Sequence, residues 1–289
     1  METIIEESLA APPPAISDQT LSDSGFYWRE VEGVRVLVNR PLEAAGFVNG
    51  FSTRLGGVSP FPEGDLNLAG FDEDSAENIH ENRRRFLNVF DGQYSIATAW
   101  QVHGDSIRII RHRSEITKGD ERADGVMSDL EGVLAGVKTA DCVPVLIADP
   151  KTRAYAAVHA GWRGTTQSIT RKAVEKMGHV YGSRPKDLVC AIGPAASCKT
   201  YEIGQDVLDA FSANFPGSDK YFKATTPGHA LVDLHLANCD QLLNAGVSEN
   251  KISTAPFCTI LHTDLFFSYR IEKKTLGKTG RLLSVIGRK

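Results

Sequence analysis

The 289-residue sequence predicts an α+β fold, and three observations indicate it. Segments with strand and helix periodicity follow one another in mixed order, without the regular alternation that gives a doubly wound parallel sheet. Two β-rich runs, 143–148 and 153–158, are joined by so short a link that they are predicted to pair antiparallel. The hydrophobic content of 42% and charged content of 24% are those of a globular chain with a large core.

The composition and charge exclude several classes of protein. The net charge is −4, the isoelectric point is near 6.1, and no run of Lys or Arg offers a nucleic-acid-binding surface. No apolar stretch reaches the roughly 18 residues that cross a bilayer, and the acidic N-terminus lacks a secretory signal pattern. The cysteines are odd in number and include no CxxC pair, which is typical of reduced thiols. We therefore expect a cytoplasmic protein that binds neither nucleic acid nor membrane, and the sequence gives no indication of its oligomeric state.

The N-terminal part is predicted to contain a tail, a strand pair, a loop and a helix. Residues 1–23 include three consecutive prolines and are predicted to be a disordered tail that precedes a single catalytic domain at 24–289. Residues 26–39 alternate in polarity as two strands do. Residues 47–70 form a long loop rich in Gly and Pro, a kind of segment that often carries function. Residues 75–90 form a helix with a serine N-cap.

The central hairpin is the most informative predicted element. Its link, residues 149–152, contains Asp and Pro, which favour a turn because Asp bonds its own backbone and Pro fixes φ. A turn symmetric about Pro150 and Lys151 places Cys142 directly opposite His159. Cross-strand partners have Cβ atoms about 4.5–5.5 Å apart, so both side chains would reach one ion or share one proton.

The other elements follow from periodicity and from residues that cap or end helices. Strands are predicted at 96–101, 106–110, 187–192, 251–257 and 282–286. Helices are predicted at 165–177, 202–215 and 234–245, the last closed by Gly246.

Three residues with metal-binding side chains stand out. His159 is flanked by small residues, which leaves room for a ligand, and His103 lies in a strand break before Gly104. With Cys142 they form a His2Cys set, and three protein ligands with one open position are typical of catalytic zinc. The alternative is that both histidines are hydrogen-bonded in the core and Cys142 is a small buried side chain. Spacing alone leaves both interpretations open.

Four charged residues near these positions each have two interpretations. Asp124 and Asp141 are either acids or orienters of a histidine, or they are turn residues. Arg163 stands before a predicted helix start, where a guanidinium and free N–H groups make an anion site, or it pairs with a surface carboxylate. Arg54, in the glycine-rich loop, has the same two interpretations.

Several sequence blocks in the same order resemble the YfiH family. They are GFSTRLGGVS at 50–59, LNL at 66–68, ENRRRF at 81–86, QVHG at 101–104, ADG at 123–125, TADCVPVLIAD at 139–149, HAGWRGT at 159–165, YEIG at 201–204 and FFSYR at 266–270. Members of this family are known as laccase-domain proteins, polyphenol oxidases, purine nucleoside phosphorylases and peptidoglycan editing factors. The chain departs from the family at Ile271, where a second arginine is common.

The resemblance implies a fold, a cofactor and an activity. The implied fold is a mixed β-sandwich flanked by helices, similar to the catalytic domain of cytotoxic necrotizing factor. The implied metal ligands are His103, Cys142 and His159, usually with zinc and with copper as the other candidate. The implied activity is phosphorolysis of adenosine, inosine and methylthioadenosine to the free base and (methylthio)ribose 1-phosphate, together with adenosine deamination.

Catalytic and binding roles are assigned as a hypothesis for a purine nucleoside enzyme. Cys142, His159 and Asp124 are assigned to catalysis, with Asp124 handling protons. Phosphate and substrate contacts are assigned to the following residues: Arg54, Arg163 and Asn67, the last within the matching block 66–68.

Three other functions are consistent with the same residues. A metal-free cysteine hydrolase would use Cys142 as nucleophile and His159 as base, for example on peptidoglycan precursors. A copper-dependent polyphenol oxidase is weakened because eight histidines without an HxH pair do not match a multicopper centre. A binding or regulatory module would use the same pocket without turnover.

Overall fold

The structure, a computed structural model, describes residues 15–60, 63–70, 74–117, 120–215 and 217–289. Residues 1–14 of the predicted tail lie outside the described residues. The tail prediction is wrong for the segment that follows, because Asp18–Asp23 form a helix whose N-cap is the hydroxyl of Ser17. Leu21 of this helix is buried in the same apolar cluster as Phe26. The prediction of one domain over 24–289 stays a prediction.

Strands and helices are numbered here along the described chain. The strands are β1 (Phe26–Val31), β2 (Val34–Asn39), β3 (Val48–Ser52), β4 (Ser59–Pro60), β5 (Glu63–Asp65), β6 (Ser95–Ala97), β7 (Ile107–Ile110), β8 (Gly125–Ser128), β9 (Val133–Thr139), β10 (Val143–Ala148), β11 (Tyr155–Ala160), β12 (Val189–Ile192), β13 (Glu202–Gly204), β14 (Phe222–Ala224), β15 (His229–Val232), β16 (Ile252–Thr254) and β17 (Leu282–Gly287). The helices are α1 (Asp18–Asp23), α2 (Arg40–Ala44), α3 (Ala76–Leu87), α4 (Trp162–Thr166), α5 (Ile169–Tyr181), α6 (Gln205–Asn214), α7 (Leu234–Asn244) and α8 (Tyr269–Leu276). Within the described ranges, no helix has the length and apolarity needed to span a membrane.

Two large mixed sheets form the centre of the described structure. The first has the order β1-β2-β3-β17-β9-β6, and the second has the order β16-β12-β10-β11-β8-β7. Neighbouring strands are antiparallel except for the pairs β6–β9, β12–β16 and β7–β8. The strands β10, β11 and β17 lie inside their sheets and are buried on both faces, which explains their nearly continuous apolar sequences. Two smaller sheets, β4-β5 and β13-β15-β14, lie outside them.

The two large sheets pack face to face and are flanked by helices. Phe51 of the first sheet and Leu146 of the second belong to one buried apolar cluster between them. The outer face of the first sheet packs against α3 through Phe86, and that of the second packs against α5 through Met177. The predicted mixed β-sandwich with flanking helices is therefore present. The likeness to the cytotoxic necrotizing factor domain stays a prediction.

The central hairpin is present with its first strand as predicted, but its second strand begins and ends two residues later than predicted, at Tyr155–Ala160, and the register differs. β10 and β11 pair antiparallel with Pro144 opposite His159, so the pairing is shifted by two residues from the predicted one. Arg153 adopts a left-handed conformation with φ of 66°, and its N–H donates to the carbonyl of Asp149 at 2.8 Å, which moves the centre of the turn. Because side chains alternate with a period of two, a two-residue shift changes no side chain's face. Cys142 therefore stays close to His159.

Several other boundaries differ from the predictions. The helix predicted at 165–177 is divided into α4 and α5 at Ser168, whose φ is 61°. The segment predicted as a helix at 202–215 begins instead as β13 and becomes helical only at α6. The predicted strand 96–101 is confined to β6, because the following residues leave the sheet and line a cleft. The segment predicted as a loop at 47–70 contains the strands β3, β4 and β5. Elements that the sequence patterns do not predict elsewhere are the helices α2 and α8 and the strands β8, β9, β14 and β15.

Candidate metal centre

Three side chains from separate parts of the chain converge at one end of the second sheet. Cys142 directly precedes β10, His159 lies in β11, and His103 lies in the loop that follows β6. Their ligand atoms all lie within 4.8 Å of one another. The two imidazole rings have centroids 4.9 Å apart and an interplanar angle of 79°. The predicted convergence of these three residues is present in the structure.

The carboxylate of Asp124 holds both histidines in place. Its Oδ1 accepts hydrogen bonds from Nδ1 of His159 at 2.8 Å and from the backbone N–H of His103 at 2.9 Å. Its Oδ2 accepts from the N–H groups of Gly104 at 2.7 Å and Val102 at 3.2 Å. The loop closes around the carboxylate because His103 adopts a left-handed φ of 59°. Since Nδ1 of His159 is engaged, its Nε2 is the nitrogen left for a metal.

Asp124 is therefore placed as an orienter of the histidines. Its side chain is fully buried. Burial raises the pKa of Asp124, but the hydrogen bonds from His159 and from the N–H of Gly104 outweigh it and hold the pKa below its usual value. A buried carboxylate that accepts four hydrogen bonds is poorly suited to exchange protons with a substrate. The structure thus favours orientation over the proton-handling role predicted for this residue.

Replacing Asp124 by asparagine is expected to weaken zinc binding by about 10- to 100-fold. The amide keeps the size of the side chain but loses the charge and one acceptor, so the four N–H donors are no longer all satisfied. A competition titration with a chelating dye measures the affinity.

The matched control for this prediction is Asp105→Asn. Asp105 pairs with Lys172 at the surface, where an ion pair contributes about 0–1 kcal/mol, so this variant is expected to bind zinc normally. Unchanged zinc affinity in Asp124→Asn, combined with the loss of one limb of the pH–rate profile, would assign Asp124 to proton transfer instead.

The thiol of Cys142 and the imidazole of His159 perturb one another. Burial raises the pKa of Cys142, but the neighbouring His159 and His103 imidazoles outweigh it and lower the pKa to about 6. Burial lowers the pKa of His159, but Cys142 and Asp124 outweigh it and raise the pKa to about 9. The thiolate form that binds metals is therefore favoured at neutral pH.

Glycines in the HAGWRGT block leave the space that this arrangement needs. A Cβ atom at Gly161 would lie 3.0 Å from Sγ of Cys142 and 3.1 Å from Cδ2 of His103. A Cβ atom at Gly164 would lie 2.9 Å from the carbonyl oxygen of Gly104. Any larger residue at either position would press on the metal-binding side chains or on the loop that carries one of them.

Asp141 connects the metal centre to the FFSYR block. It adopts a left-handed φ of 80°, and its carboxylate is nearly buried. The carboxylate accepts hydrogen bonds from the hydroxyls of Thr259 at 2.6 Å and Ser268 at 3.0 Å, and from the N–H of Arg270 at 2.7 Å. Asp141 is thus a structural acceptor that fixes the chain before Cys142 to the start of α8.

A cleft of about 990 Å³ opens beside the two histidines. Among the described residues its lining has a single carboxylate, from Asp120. Four cationic side chains line it: Arg83, Lys138, Arg163 and Arg281. Two aromatic side chains, Trp100 and Tyr269, also line the cleft and are 57% and 50% exposed. Guanidinium groups and exposed aromatic rings in one cleft can contact a ligand that combines an anionic group with a flat ring.

Of the three residues predicted to contact substrate, one lines the cleft and two do not. Arg163 is exposed, lines the cleft and stacks over the ring of Trp162, with Cζ 4.2 Å from the ring centroid. Arg54 does not line the cleft, because its guanidinium is buried in ion pairs with Asp65 at 2.6 Å and Glu272 at 2.9 Å. We therefore leave Arg54 out of the phosphate site.

Asn67 does not line the cleft either. Its Oδ1 accepts hydrogen bonds from the N–H groups of Arg281 at 2.9 Å and Ala69 at 3.2 Å. Its role in the structure is to hold the backbone before β17.

The other charged and aromatic residues that line the cleft with Arg163 were not predicted from the sequence. Arg83 and Tyr269 stand inside recognised blocks and Lys138 directly precedes one, whereas Arg281 carries no local signal.

The region that contains the metal centre and the cleft is similar in sequence to known proteins. Residues 48–289 match the family model described as multi-copper polyphenol oxidoreductase laccase. The chain is 30% identical over 249 residues to the purine nucleoside phosphorylase YlmD of Bacillus subtilis, covering 84% of this chain and 88% of the relative. It is 32% identical over 245 residues to the purine nucleoside phosphorylase YfiH of Shigella flexneri, covering 81% of this chain and 91% of that one.

A solved structure has the same fold. The crystal structure of YlmD from Geobacillus stearothermophilus superimposes with a TM-score of 0.83 at 32% identity, covering 92% of this chain and 99% of that one. The fold described above is therefore shared over almost the full length of both chains.

Proposed function

This chain belongs to the YfiH family, and we propose that it is a metal-dependent purine nucleoside phosphorylase acting on adenosine, inosine and methylthioadenosine. The observation that carries the proposal is the cation-lined cleft that opens at His103 and His159. Relatives named purine nucleoside phosphorylase share about a third of their residues with it. Phosphorolysis needs a site that binds phosphate next to the ribose, and the guanidinium of Arg163 in this cleft is suited to bind it.

Zinc is the proposed metal, held by His103, Cys142 and His159. One thiolate and two imidazoles, with the second nitrogen of His159 bound to Asp124, suit zinc and suit copper nearly as well. A divalent ion at this position would supply Lewis acidity toward a substrate oxygen. In the part of the chain that is described, a single such group of three or more ligands occurs, so we do not propose a multicopper oxidase.

The chain's own residues would position the two substrates. Arg163, four residues after His159, would hold phosphate against C1′ of the ribose, and the rings of Trp100 and Tyr269 would stack on the purine. A phosphate oxygen then forms a bond to C1′ while the C1′–N9 bond breaks. The electron pair leaves with the purine, which takes up the proton that the hydrogen phosphate gives up, and ribose 1-phosphate is the second product.

Incubation of the zinc-loaded protein with adenosine and phosphate tests the proposal. Adenine and ribose 1-phosphate should appear in equal amounts and only when phosphate is present. Formation of neither product in a metal-loaded preparation would refute the phosphorylase assignment. Release of ammonia and inosine without phosphate measures adenosine deamination, which we propose as a second reaction because the three ligands leave one position open.

Replacing Arg163 by glutamine is expected to raise KM for phosphate by about 10- to 100-fold, because a hydrogen bond to a charged group contributes about 1.5–3 kcal/mol. KM for adenosine should change much less. Steady-state kinetics with phosphate as the varied substrate measures the effect. Arg171→Gln, at an exposed position on α5, is the control and should leave both constants unchanged. An unchanged KM for phosphate in Arg163→Gln would remove this residue from the site.

A cysteine hydrolase is the second candidate function, and one observation favours it. The side chains follow one another in the order of a catalytic triad, with Cys142 as nucleophile, His159 as base and Asp124 as orienter. The pKa of the Cys142 thiol is also lowered. Iodoacetamide labelling followed by mass spectrometry separates the two functions, with exposed Cys198 as internal reference. Zinc that protects Cys142 but not Cys198 supports the metal centre. Equal labelling of Cys142 with and without zinc supports the hydrolase.

A further inference from the structure

The QVHG block places a second polar residue near the metal centre, Gln101, two positions before His103. The side-chain amide of Gln101 bonds the backbone of Lys138 at both ends. Its Oε1 accepts from the N–H of Lys138 and its Nε2 donates to the carbonyl, each at 2.7 Å. We call this pair of hydrogen bonds the Gln101 clamp. A side-chain amide carries the same donor and acceptor as a peptide group, so it can bond both backbone groups of one residue at once.

The clamp takes the place of a strand at the edge of the first sheet. β6 is the edge strand beside β9, and its pairing ends with Ala97 opposite Ala135. Since β9 continues to Thr139, its last residues have no strand on that side within the described part of the chain. Backbone groups that lose water without gaining a partner are costly. Gln101 supplies both partners for Lys138 although its own segment has left the sheet.

The clamp joins two segments that each lead to a metal-binding side chain. Gln101 precedes His103 by two residues and Lys138 precedes Cys142 by four, so at most about 7 Å and about 14 Å of extended chain separate the clamp from the two ligands. The carboxylate of Asp124 fixes the loop of His103 relative to β11. The Gln101 clamp fixes the same loop relative to the strand that leads to Cys142.

The segment between Lys138 and Cys142 is itself held in place. Thr139 pairs with Leu282 of β17. Asp141 follows with its carboxylate nearly buried, and that carboxylate accepts hydrogen bonds from two hydroxyls and one backbone N–H. A shift of the loop relative to the end of β9 would therefore change the position of one metal ligand relative to the other.

We propose that Gln101 is a positioning residue of the metal centre, which sets the distance between His103 and Cys142 by clamping the loop of one to the strand that precedes the other. Gln101 lines the cleft, but its amide is engaged with the backbone, so its role is to position ligands and not to contact substrate. The inference rests on the metal centre of the proposed function and not on phosphorolysis. The alternative is that the clamp only stabilises the edge of the sheet.

Titration of the metal-free protein with Co²⁺ tests the proposal, because the thiolate-to-Co²⁺ absorption reports the coordination of Cys142 without requiring turnover. Gln101→Met keeps the length of the side chain but loses both hydrogen bonds. Gln101→Asn keeps the amide but is too short to bond both backbone groups. Both variants are expected to bind Co²⁺ about 10- to 100-fold more weakly than the wild-type protein and to change the position or intensity of this absorption.

Gln241→Met is the matched control. The amide of Gln241 makes bonds of the same kind, since its Nε2 donates to the carbonyl of Thr165 at 2.9 Å and its Oε1 accepts from the N–H of Thr170 at 3.1 Å. Gln241 is buried and joins α7 to α4 and α5. This variant is expected to lower the urea midpoint while keeping the wild-type affinity for Co²⁺ and the wild-type absorption.

Three outcomes would overturn the proposal. Both Gln101 variants could keep the wild-type affinity and absorption and lose only stability toward urea, which would reduce the clamp to sheet stabilisation. Gln241→Met could lose as much Co²⁺ affinity as Gln101→Met, in which case the loss follows from stability. The wild-type protein could also bind no Co²⁺, which would remove the metal centre as well. Weakened Co²⁺ binding in the Gln101 variants of a protein that does not cleave adenosine would support the positioning role and refute only the phosphorylase assignment.

Discussion

Replacing His103 by alanine is expected to remove stoichiometric zinc and to lower kcat/KM for adenosine phosphorolysis on the order of a thousandfold, as loss of a key electrostatic stabiliser does. Two remaining ligands hold zinc poorly, because catalytic sites use three protein ligands. The fold should persist, because His103 is exposed and lies in a loop. Elemental analysis of the purified variant beside the wild-type protein measures the metal, and the phosphorolysis assay measures the rate.

His179→Ala is the control for this prediction. His179 is exposed on α5 and its Nδ1 contacts the carbonyl of Glu175 within the same helix, so metal content and rate should be unchanged. A His103→Ala protein that keeps both its zinc and its activity would refute the metal centre. Loss of zinc with full retention of phosphorolysis would show that the reaction does not use the metal.

Replacing Arg54 by methionine is expected to lower the free energy of unfolding by about 3–5 kcal/mol, because two carboxylates would remain buried without their cation. Asp65 and Glu272 both bond the guanidinium, which also donates to the carbonyl of Thr263 at 2.8 Å and stacks on Phe267. Urea denaturation measures the effect.

Arg84→Met provides the comparison for this stability prediction. Arg84 is 57% exposed and paired with Glu81, and a surface ion pair contributes about 0–1 kcal/mol. Where the Arg54 variant remains folded, its KM for phosphate should equal that of the wild-type protein. A raised KM with unchanged unfolding free energy would instead return Arg54 to the phosphate site, as the sequence analysis predicted.

The proximity of Cys142 and His159 could be predicted because its signal is local. Turn-forming residues between two β-rich runs are sufficient to predict the hairpin that brings Cys142 near His159. The position of His103 depended on the resemblance to a family, since 39 residues separate it from Cys142. The hairpin register was wrong because nothing in an arginine at position 153 indicates the left-handed backbone that it adopts.

The charged residues could not be assigned in the same way. Arg54 and Arg163 have identical chemistry, and their sequence surroundings are similarly rich in glycine. The two arginines differ in their partners. Glu272, more than two hundred residues further along the chain, neutralises Arg54, whereas Arg163 lines the cleft. Asp124 likewise became an orienter because the loop at 102–104 folds around it.

The sequence by itself determined the α+β class, the central hairpin and the three side chains able to bind a metal, because periodicity, turn residues and ligand types are properties of short segments. The tertiary structure alone decided which cations and aromatic rings line the cleft and which are used to stabilise the fold. Electrostatic energy and burial depend on distances through space, and residues from α3, β9 and the approach to β17 become neighbours only when the sheets have formed.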